Sequence, residues 1–436
     1  MSFPRYPAYK DSGIPLLKEI PEEWLCIKLQ EAASDAANSF VDGPFGSSLK
    51  NEEYVGQGVP LVQLNNIGIG RHILSTLNFV EPEKADELGR HNAFPGDLVI
   101  AKMADPVARA AIVSDQFARY VIVADCIRLE PDISRMDPRF LVYSINSPYF
   151  KALAEMASKG IGRVRINLGS LRQLQLCCPP VDIQRRIATF LDHETAKIDA
   201  LIAEQQRLIE LLQEKRQAVI SHAVTKGLNP DLPMKDSGVE WLGEVPEHWE
   251  VKQLRYVCNL QTGSRDTENA VEGGPFPFFV RSQTVERINS SAFDCEAVLT
   301  AGDGAGVGKV FHYHHGPFDF HQRVYMMNNF RGISGRLFFY ALRETFYKVA
   351  LEGGAKSTVD SLRRPMFMSF PICMPPTDEQ ELILSHVETQ THKYSELASE
   401  AHRAVGLLQE RRSALISAAV TGQIDVRGLV PEVAAA

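Results

Sequence analysis

From Asp182 to Thr225 the chain carries neither proline nor glycine. A run of that length with apolar residues every three or four positions predicts one long helix, buried along a single face. Pro179 and Pro180 close off the segment upstream, Asp182 is placed to cap the helix, and Gly227 is placed to stop it. The helix then recurs. "LLQEKRQAVISHAVTKG" (Leu211 to Gly227) is answered by "LLQERRSALISAAVTG" (Leu407 to Gly422), and Cys177 to Thr225 aligns without gaps on Cys373 to Thr421 with about 22 of 49 residues identical. A second block repeats too: "KDSGIPLLKEIPEEW" (Lys10 to Trp24) matches "KDSGVEWLGEVPEHW" (Lys235 to Trp249).

The segments between these blocks, 25 to 176 and 250 to 372, differ in length and echo each other faintly, as in "PRFLVYSI" (Pro138 to Ile145) and "GRLFFYAL" (Gly335 to Leu342). A chain of 436 residues is long for one core. The repeats divide it into a first domain at 1–180, a central long helix at 181–228, a second domain at 229–376, a second long helix at 377–424 and a tail at 425–436. Strand-like runs in the first domain are "GVPLVQLNNI", "GDLVIAKM", "RAAIVSD" and "YVIVADCIRLEP", followed by a helical stretch at 137–160. In the second they are "PFPFFVRSQTV", "AVLTAG", "GKVFHY" and "VYMMNNF", followed by a helical stretch at 335–352. The strands are too irregularly spaced for a repeating βαβ sheet. The expected class is α+β: two mixed α/β domains in tandem, separated by a long antiparallel two-helix coiled coil with internal pseudo-two-fold symmetry.

Alternate steps of four and three give the seam of each helix. On the first they select Ile187, Leu191, Ile198, Leu201, Leu208, Leu212 and Val219, with polar interruptions at Glu194, Gln205, Lys215 and His222. On the second they select Ile383, Val387, Leu397, Leu408 and Leu415, with Gln390, Tyr394, Ala401, Ala404, Arg411 and Ala418 between. Seams so interrupted are weak as self-dimers, whereas two in one chain can pair with each other. At ~1.5 Å per residue such a helix spans about 66 Å, a ceiling on the separation of two domains it holds apart. Two copies of one surface can also bind one kind of partner twice; the plainer alternative is a hairpin that merely ties the domains together.

Net charge is −8, which argues against an unaided nucleic-acid binder, because neutralising phosphate needs a basic face. No apolar run approaches the ~18 residues of a membrane span, and the start lacks a secretory leader, so no membrane partner and a cytoplasmic location are expected. Seven cysteines (26, 126, 177, 178, 258, 295 and 373) without CxxC spacing fit reduced thiols.

Catalytic motifs fail on inspection. "AGDGAGVGKV" (Ala301 to Val310) has Asp303 where a phosphate-binding loop needs glycine and Val310 where it needs Ser or Thr, so a glycine-rich turn between strands is the reading. "CPPV" and "MPPT" lack the Asp or Asn before Pro-Pro that an adenine methyltransferase needs. Near "GDLVIAK" Ile100 stands in place of a nuclease acid. No catalytic residue is assigned. His312, His314, His315 and His321 form the densest histidine cluster, but only distant Cys295 and Cys373 are on offer to complete a zinc site, so no metal is expected and a polar loop face is preferred.

Amide and arginine side chains make bidentate base contacts, while Ser, Lys and backbone N–H groups hold phosphate. Residues of that kind in loops are Ser47, Ser48, Lys50, Asn65, Asn66, Lys102, Arg109, Arg163, Arg165 and Asn167 in the first domain. The second offers Ser264, Arg265, Arg281, Gln283, Lys309, His321, Gln322, Arg323, Lys356, Ser357, Arg363 and Arg364. Each alone is more readily a solvated surface residue; as a set at corresponding points of two domains they suggest contact with DNA.

The order of these parts, with "GPFGSSLK", "PPVDIQRRIATFLD", "LLQEKRQAVISHAVTKG" and "DSGVEWLGEVPEHW", resembles the specificity subunit of type I restriction-modification systems over nearly the whole chain. The resemblance implies two target-recognition domains that each read half of a split double-stranded DNA sequence, with the helices as spacer. It implies two modification subunits that methylate adenine N6, and restriction (nuclease-translocase) subunits. S-adenosylmethionine, ATP and Mg²⁺ then belong to those partners, and this chain holds no cofactor. The second copy replaces the Gln-x-x-Ile-Ala pattern of Gln184 to Ala188 with "TDEQELILSHVETQTHK", which leaves equal affinity of the two partner faces an open question. Two other readings remain at this point: a protein-bridging scaffold that never touches DNA, and an enzyme with an unfamiliar site.

Overall fold

The computed structural model describes residues 3–46, 48–103, 106–160, 164–352 and 363–429, without the side chains of residues 305 and 347–352. The chain forms two compact units, one from Met1–Glu204 with Ala404–Ala436, the other from Gln205–Arg403. Each unit thus owns one globular domain and one half of each long helix. The helices run Val181–Lys226 and Thr377–Val420. The first starts one residue ahead of Asp182, so the cap position falls on Pro180 and Asp182 sits in the first turn, where its carboxylate still faces the positive end of the helix dipole.

In the first unit the repeated block Lys10 to Trp24 folds into a hairpin, Tyr9–Ile14 against Leu17–Pro21. It lies over the C-terminal end of the second long helix. The Tyr9 hydroxyl donates to the Gly422 carbonyl at 2.9 Å, and a Cβ on Gly422, which has φ +72°, would meet Pro21 at 2.4 Å. Glycine is required there twice over, by backbone angle and by space. Two four-stranded sheets follow. One orders Phe79–Val80, Val59–Val62, Tyr120–Ile122 and Asn92–Ala93; the other orders Phe40–Asp42, Cys126–Leu129, Leu98–Ala101 and Ala110–Ile112. The run "YVIVADCIRLEP" is therefore two strands in different sheets. The expected helical stretch at 137–160 is likewise two helices, Pro138–Ile145 and Pro148–Met156, because Pro148 cannot continue the first.

The second unit repeats the clasp with a different body. Its hairpin, Met234–Asp236 against Glu244–Pro246, brings Trp249 onto Gly227 (φ +78°) at the end of the first long helix, where an added Cβ would meet the indole ring at 3.2 Å. Its sheet has six strands in the order Asn259–Thr262, Val324–Asn328, Phe293–Ala301, Phe311–Phe320, Phe276–Phe279 and Glu286–Ile288. Ala301 to Val310 is the turn expected, with a single 3₁₀ turn at Gly304–Gly306. Helix Gly335–Glu352 covers the sheet.

Within each unit the two helix halves run antiparallel. In the first, Ile187, Leu191 and Ile198 join one core with Leu415, Ile416, Ala419 and Val420; in the second, Ile220, Ala223 and Val224 join one with Ile383 and Val387. Three of the twelve apolar seam positions are displaced by one residue. Leu201, Leu208 and Leu397 are 47%, 42% and 40% exposed, and Ile202, Ile209 and Ala398 turn inward in their stead. Leu212, Val219 and Leu408 are half-buried at the positions expected. The pairs Leu201-Ile202 and Leu208-Ile209 satisfy either count, and the partner helix, which one helix's periodicity does not reveal, selects the isoleucines.

Candidate nucleic-acid interface and the paired helices

In the second domain several predicted contact residues converge at the strand ends, held by three aspartates. Gly263 lets its loop pass the Phe320 carbonyl, which an added Cβ would meet at 2.1 Å. Arg265 Nε then donates to Asp319 Oδ2 at 3.0 Å, and Asp319 is fully buried. Asp303 receives Arg281 Nη1 and Arg323 Nη1, both at 3.0 Å, and Asp266 receives Gln322 Nε2 at 2.5 Å. The arginine side chains remain 39%, 41% and 59% exposed. An acid on one side of a planar guanidinium fixes its pose and leaves the remaining N–H donors for a base edge or phosphate, so less order has to be imposed on binding. Ser264, Gln283 and Lys309 are exposed in the same loops.

His321 is a correction. It is 2% exposed, its Nδ1 accepts from the Arg323 backbone N–H at 2.9 Å, and burial pushes its pKa down, so it positions Arg323 instead of meeting DNA. The remaining histidines lie in the strand Phe311–Phe320, not on a loop. His312 Nε2 is 3.0 Å from the Ser282 carbonyl, His314 packs against Phe279 and Phe318, and burial lowers both pKas. Among the described residues no three His, Cys, Asp or Glu side chains group as metal ligands.

The first domain has a smaller cluster. Gly43 runs so close to the Val123 carbonyl that an added Cβ would meet its oxygen at 1.9 Å, and it opens the loop that carries exposed Ser48 and Lys50. Nearby, Lys102 Nζ meets Asp42 Oδ1 at 3.0 Å and Arg165 Nη2 meets Asp125 Oδ1 at 2.9 Å. Arg165 is half exposed, whereas Lys102 is buried and ties strand ends together. Asn167 caps helix Leu168–Gln173, accepting from the Ser170 N–H at 2.8 Å. Asn65 is exposed, with Nδ2 on Thr76 Oγ1.

Asn66 is a correction, and Arg109 is committed to the fold through part of its guanidinium. Asn66 is fully buried and donates to the Ile73 and Thr76 carbonyls, both at 3.0 Å, while Arg109 donates to the Leu64 carbonyl at 2.7 Å and to that of Ile67. The Asn66 amide is spent on holding the loop at 64–76, and Arg109 gives it two of its five N–H donors. Arg363 is exposed at the N-terminus of helix Arg364–Met368, where Arg364 is its first residue. Ser47, Arg163, Lys356 and Ser357 lie outside the described residues.

Each globular domain is latched to its helices by one buried glutamine. Gln184 Nε2 donates to the carbonyls of Arg135 (2.9 Å) and Pro179 (2.8 Å), and its Oε1 accepts from the Asp137 N–H at 2.9 Å. Gln380 does the same with Gly332 (2.7 Å), Pro375 (2.9 Å) and the Ser334 N–H (3.0 Å). The second copy thus keeps Gln-x-x-Ile at Gln380 and Ile383, and within that five-residue pattern it departs only at Leu384. A charged clasp repeats beside the latch: Arg139 Nη1 on Asp192 Oδ2 at 2.8 Å, and Arg336 on Glu388.

The family model for the type I restriction modification DNA specificity domain matches residues 83–212 and 246–397, well over half of the chain and one match per repeat. The chain belongs to this family. Curated relatives of this specificity-domain protein include the type I restriction enzyme EcoDI specificity subunit of Escherichia coli, 29% identical over 182 residues, 42% of this chain and 40% of that one. A putative type I restriction enzyme MjaX specificity subunit of Methanocaldococcus jannaschii is 22% identical over 267 residues, 59% of each chain. The matches thus span about half the length of those relatives. A chain solved in work on complex assembly and conformational transition of the type I R-M system superposes with a TM-score of 0.70 at 14% identity, covering 93% of this chain and 99% of its own. The HsdS subunit from Thermoanaerobacter tengcongensis gives 0.53 at 15% identity, covering 94% and 100%. At such identities the likeness is one of fold, and it spans both repeats of the specificity protein.

Sequence reasoning missed the acids that order the cluster. Asp266 is a neighbour of Arg265, but Asp303 lies 22 residues from Arg281, and Asp319 lies 54 from Arg265. Only the sheet order brings them together.

Proposed function

We propose that the chain is the sequence-reading, non-catalytic subunit of a type I restriction-modification assembly, each globular domain reading one half of a bipartite double-stranded DNA target in the cytoplasm. The observation that carries the reading is the repeat itself: two copies of the specificity domain, each with exposed, acid-braced arginine in loops at its strand ends. The paired helices offer docking faces to two modification subunits that methylate adenine N6 from S-adenosylmethionine. Restriction subunits that use ATP and Mg²⁺ complete the complex, and this chain contributes recognition and scaffold alone.

The acidic balance supports that division of labour. A reader clamped onto DNA by its partners need not supply phosphate neutralisation itself, only discrimination between bases. The isolated chain is expected to bind DNA weakly and to release it as salt rises; tight, sequence-specific binding by the chain alone would contradict this.

The test uses the assembled modification complex. Replacing Arg265, Arg281 and Arg323 together by alanine should lower specific retention on the target about 100-fold or more, since base-reading contacts are worth ~1–3 kcal/mol each. A scaffold that never touches DNA predicts no change in retention.

A further inference from the structure

The two halves of the helix pair differ where an arginine of one helix meets the opposite helix. In the first unit Arg412 faces Asp199 from the opposite helix, with Nε–Oδ1 at 2.8 Å and Nη2–Oδ2 at 3.3 Å. The ungapped register of the repeat places Arg216 where Arg412 stands and Ser395 where Asp199 stands. In the second unit the arginine therefore faces a serine. The Nε of Arg216 is buried and meets no hydrogen-bond acceptor, and no acidic side chain among the described residues pairs with the guanidinium. A buried donor without an acceptor is costly, and an anion at this position would both meet that donor and pair with the half-buried guanidinium.

Beside Arg216 a cavity of about 390 Å³ opens between the helices. Gln213, Tyr394, Ser395, Ser399 and His402 line it, each able to donate a hydrogen bond, and no carboxylate does. The first unit shows what fills the equivalent place: two carboxylate oxygens in a bidentate pair, the geometry that a guanidinium offers to carboxylate and phosphate alike.

We propose that this cavity is an oxyanion-binding site, taking a carboxylate or phosphate group in the position that Asp199 occupies in the first unit. The first unit carries its own anion at this position, and the second takes one from outside. That anion is either a free phosphate-type ion or an acidic side chain of a docked modification subunit, the latter resting on the function proposed above. In both cases the two halves of the helix pair are unequal for a stated chemical reason.

The full chain, melted in potassium phosphate against potassium chloride of matched ionic strength, tests the free ion. A saturable rise in melting temperature with phosphate is expected. It should disappear in Arg216→Gln and in Ser395→Asp, and Asp199→Ser should add a second response at Arg412. Ser395→Asp should also melt higher than the parent chain in chloride, because it supplies the missing partner internally.

Binding of purified modification subunit in phosphate-free buffer tests the other source. There Arg216→Gln and Ser395→Asp should each weaken one of two binding events tenfold or more, and Asp199→Ser should not. A response in either arm that is lost in Ser395→Asp supports the site and names its source. No phosphate response and an unchanged partner affinity in Ser395→Asp would overturn it. A chain that binds no modification subunit counts against the proposed function, and the phosphate arm then decides the site by itself.

Discussion

The first globular domain spreads eight strands over two four-stranded sheets around aliphatic side chains such as Val62, Val99 and Ile122, whereas the second gathers six strands into one sheet filled by Phe279, Phe318 and Phe320. Their attachments to the helices are nearly superimposable in chemistry: a hairpin ending in Trp24 or Trp249, a buried Gln184 or Gln380, and an Arg139 or Arg336 on an acid of the long helix. The difference separates two demands on one chain. Surfaces that must meet the same helical pair stay the same, and surfaces that, on the proposed function, meet different base sequences need only share a perimeter.

The largest expected effect tests whether the clasps are equivalent. Trp24→Ala and Trp249→Ala should each cost ~3–5 kcal/mol of unfolding free energy in denaturant titrations. The second should cost about 1 kcal/mol more, because Trp249 Nε1 also donates to Glu379 Oε2 at 3.0 Å. A Trp24→Ala loss below about 1 kcal/mol would break the comparison on the first side.

Next come the glutamine latches. Gln184→Leu and Gln380→Leu each strand one N–H and two carbonyls, so a loss of ~2–3 kcal/mol is expected from both, matched within about 1 kcal/mol. A large loss in one and none in the other would mean that only one domain is latched.

The seam gives a smaller and sharper contrast. Ile209→Ala should cost ~2–4 kcal/mol while Leu208→Ala stays within about 0.5 kcal/mol, both read from thermal or chemical denaturation. The reverse ranking would restore the seam predicted from periodicity.

The smallest effect is acid sensitivity. Burial holds His72 and His91 in the first domain, and His312, His314 and His321 in the second, below the ordinary histidine pKa. They are neutral in the fold, and the unfolded chain takes up their protons near pH 6.5, so their share of stability is complete above that pH and is lost as pH falls below it. His321→Gln should reduce the slope of stability against pH between about 6.5 and 5, and an unchanged slope would show that His321 titrates freely.

Much of this was legible because it occurs twice. Two copies of Lys10 to Trp24 and of Cys177 to Thr225 marked the repeat units and the two long helices, with the Gly227 stop of the first, without any knowledge of packing. What a single residue does was less legible. Asn66 has the side chain of a base reader and spends it on loop carbonyls, because burial is decided by the sheets around it. Asp303 and Asp319 look like solvated acids until the strand order sets them beside Arg281, Arg323 and Arg265. The Arg216 vacancy was present in the alignment of Asp199 with Ser395, but its meaning required knowing which arginine each one faces.

The central claim, two independent readers on one scaffold, is tested most directly by mapping methylated adenines genome-wide in a strain that expresses the assembly. Residues 25 to 176 are exchanged in one arm for the corresponding segment of another specificity subunit. The account predicts that half of the methylated motif changes while the other half and its methylation stay as they were. A change in both halves, or in neither, would contradict it.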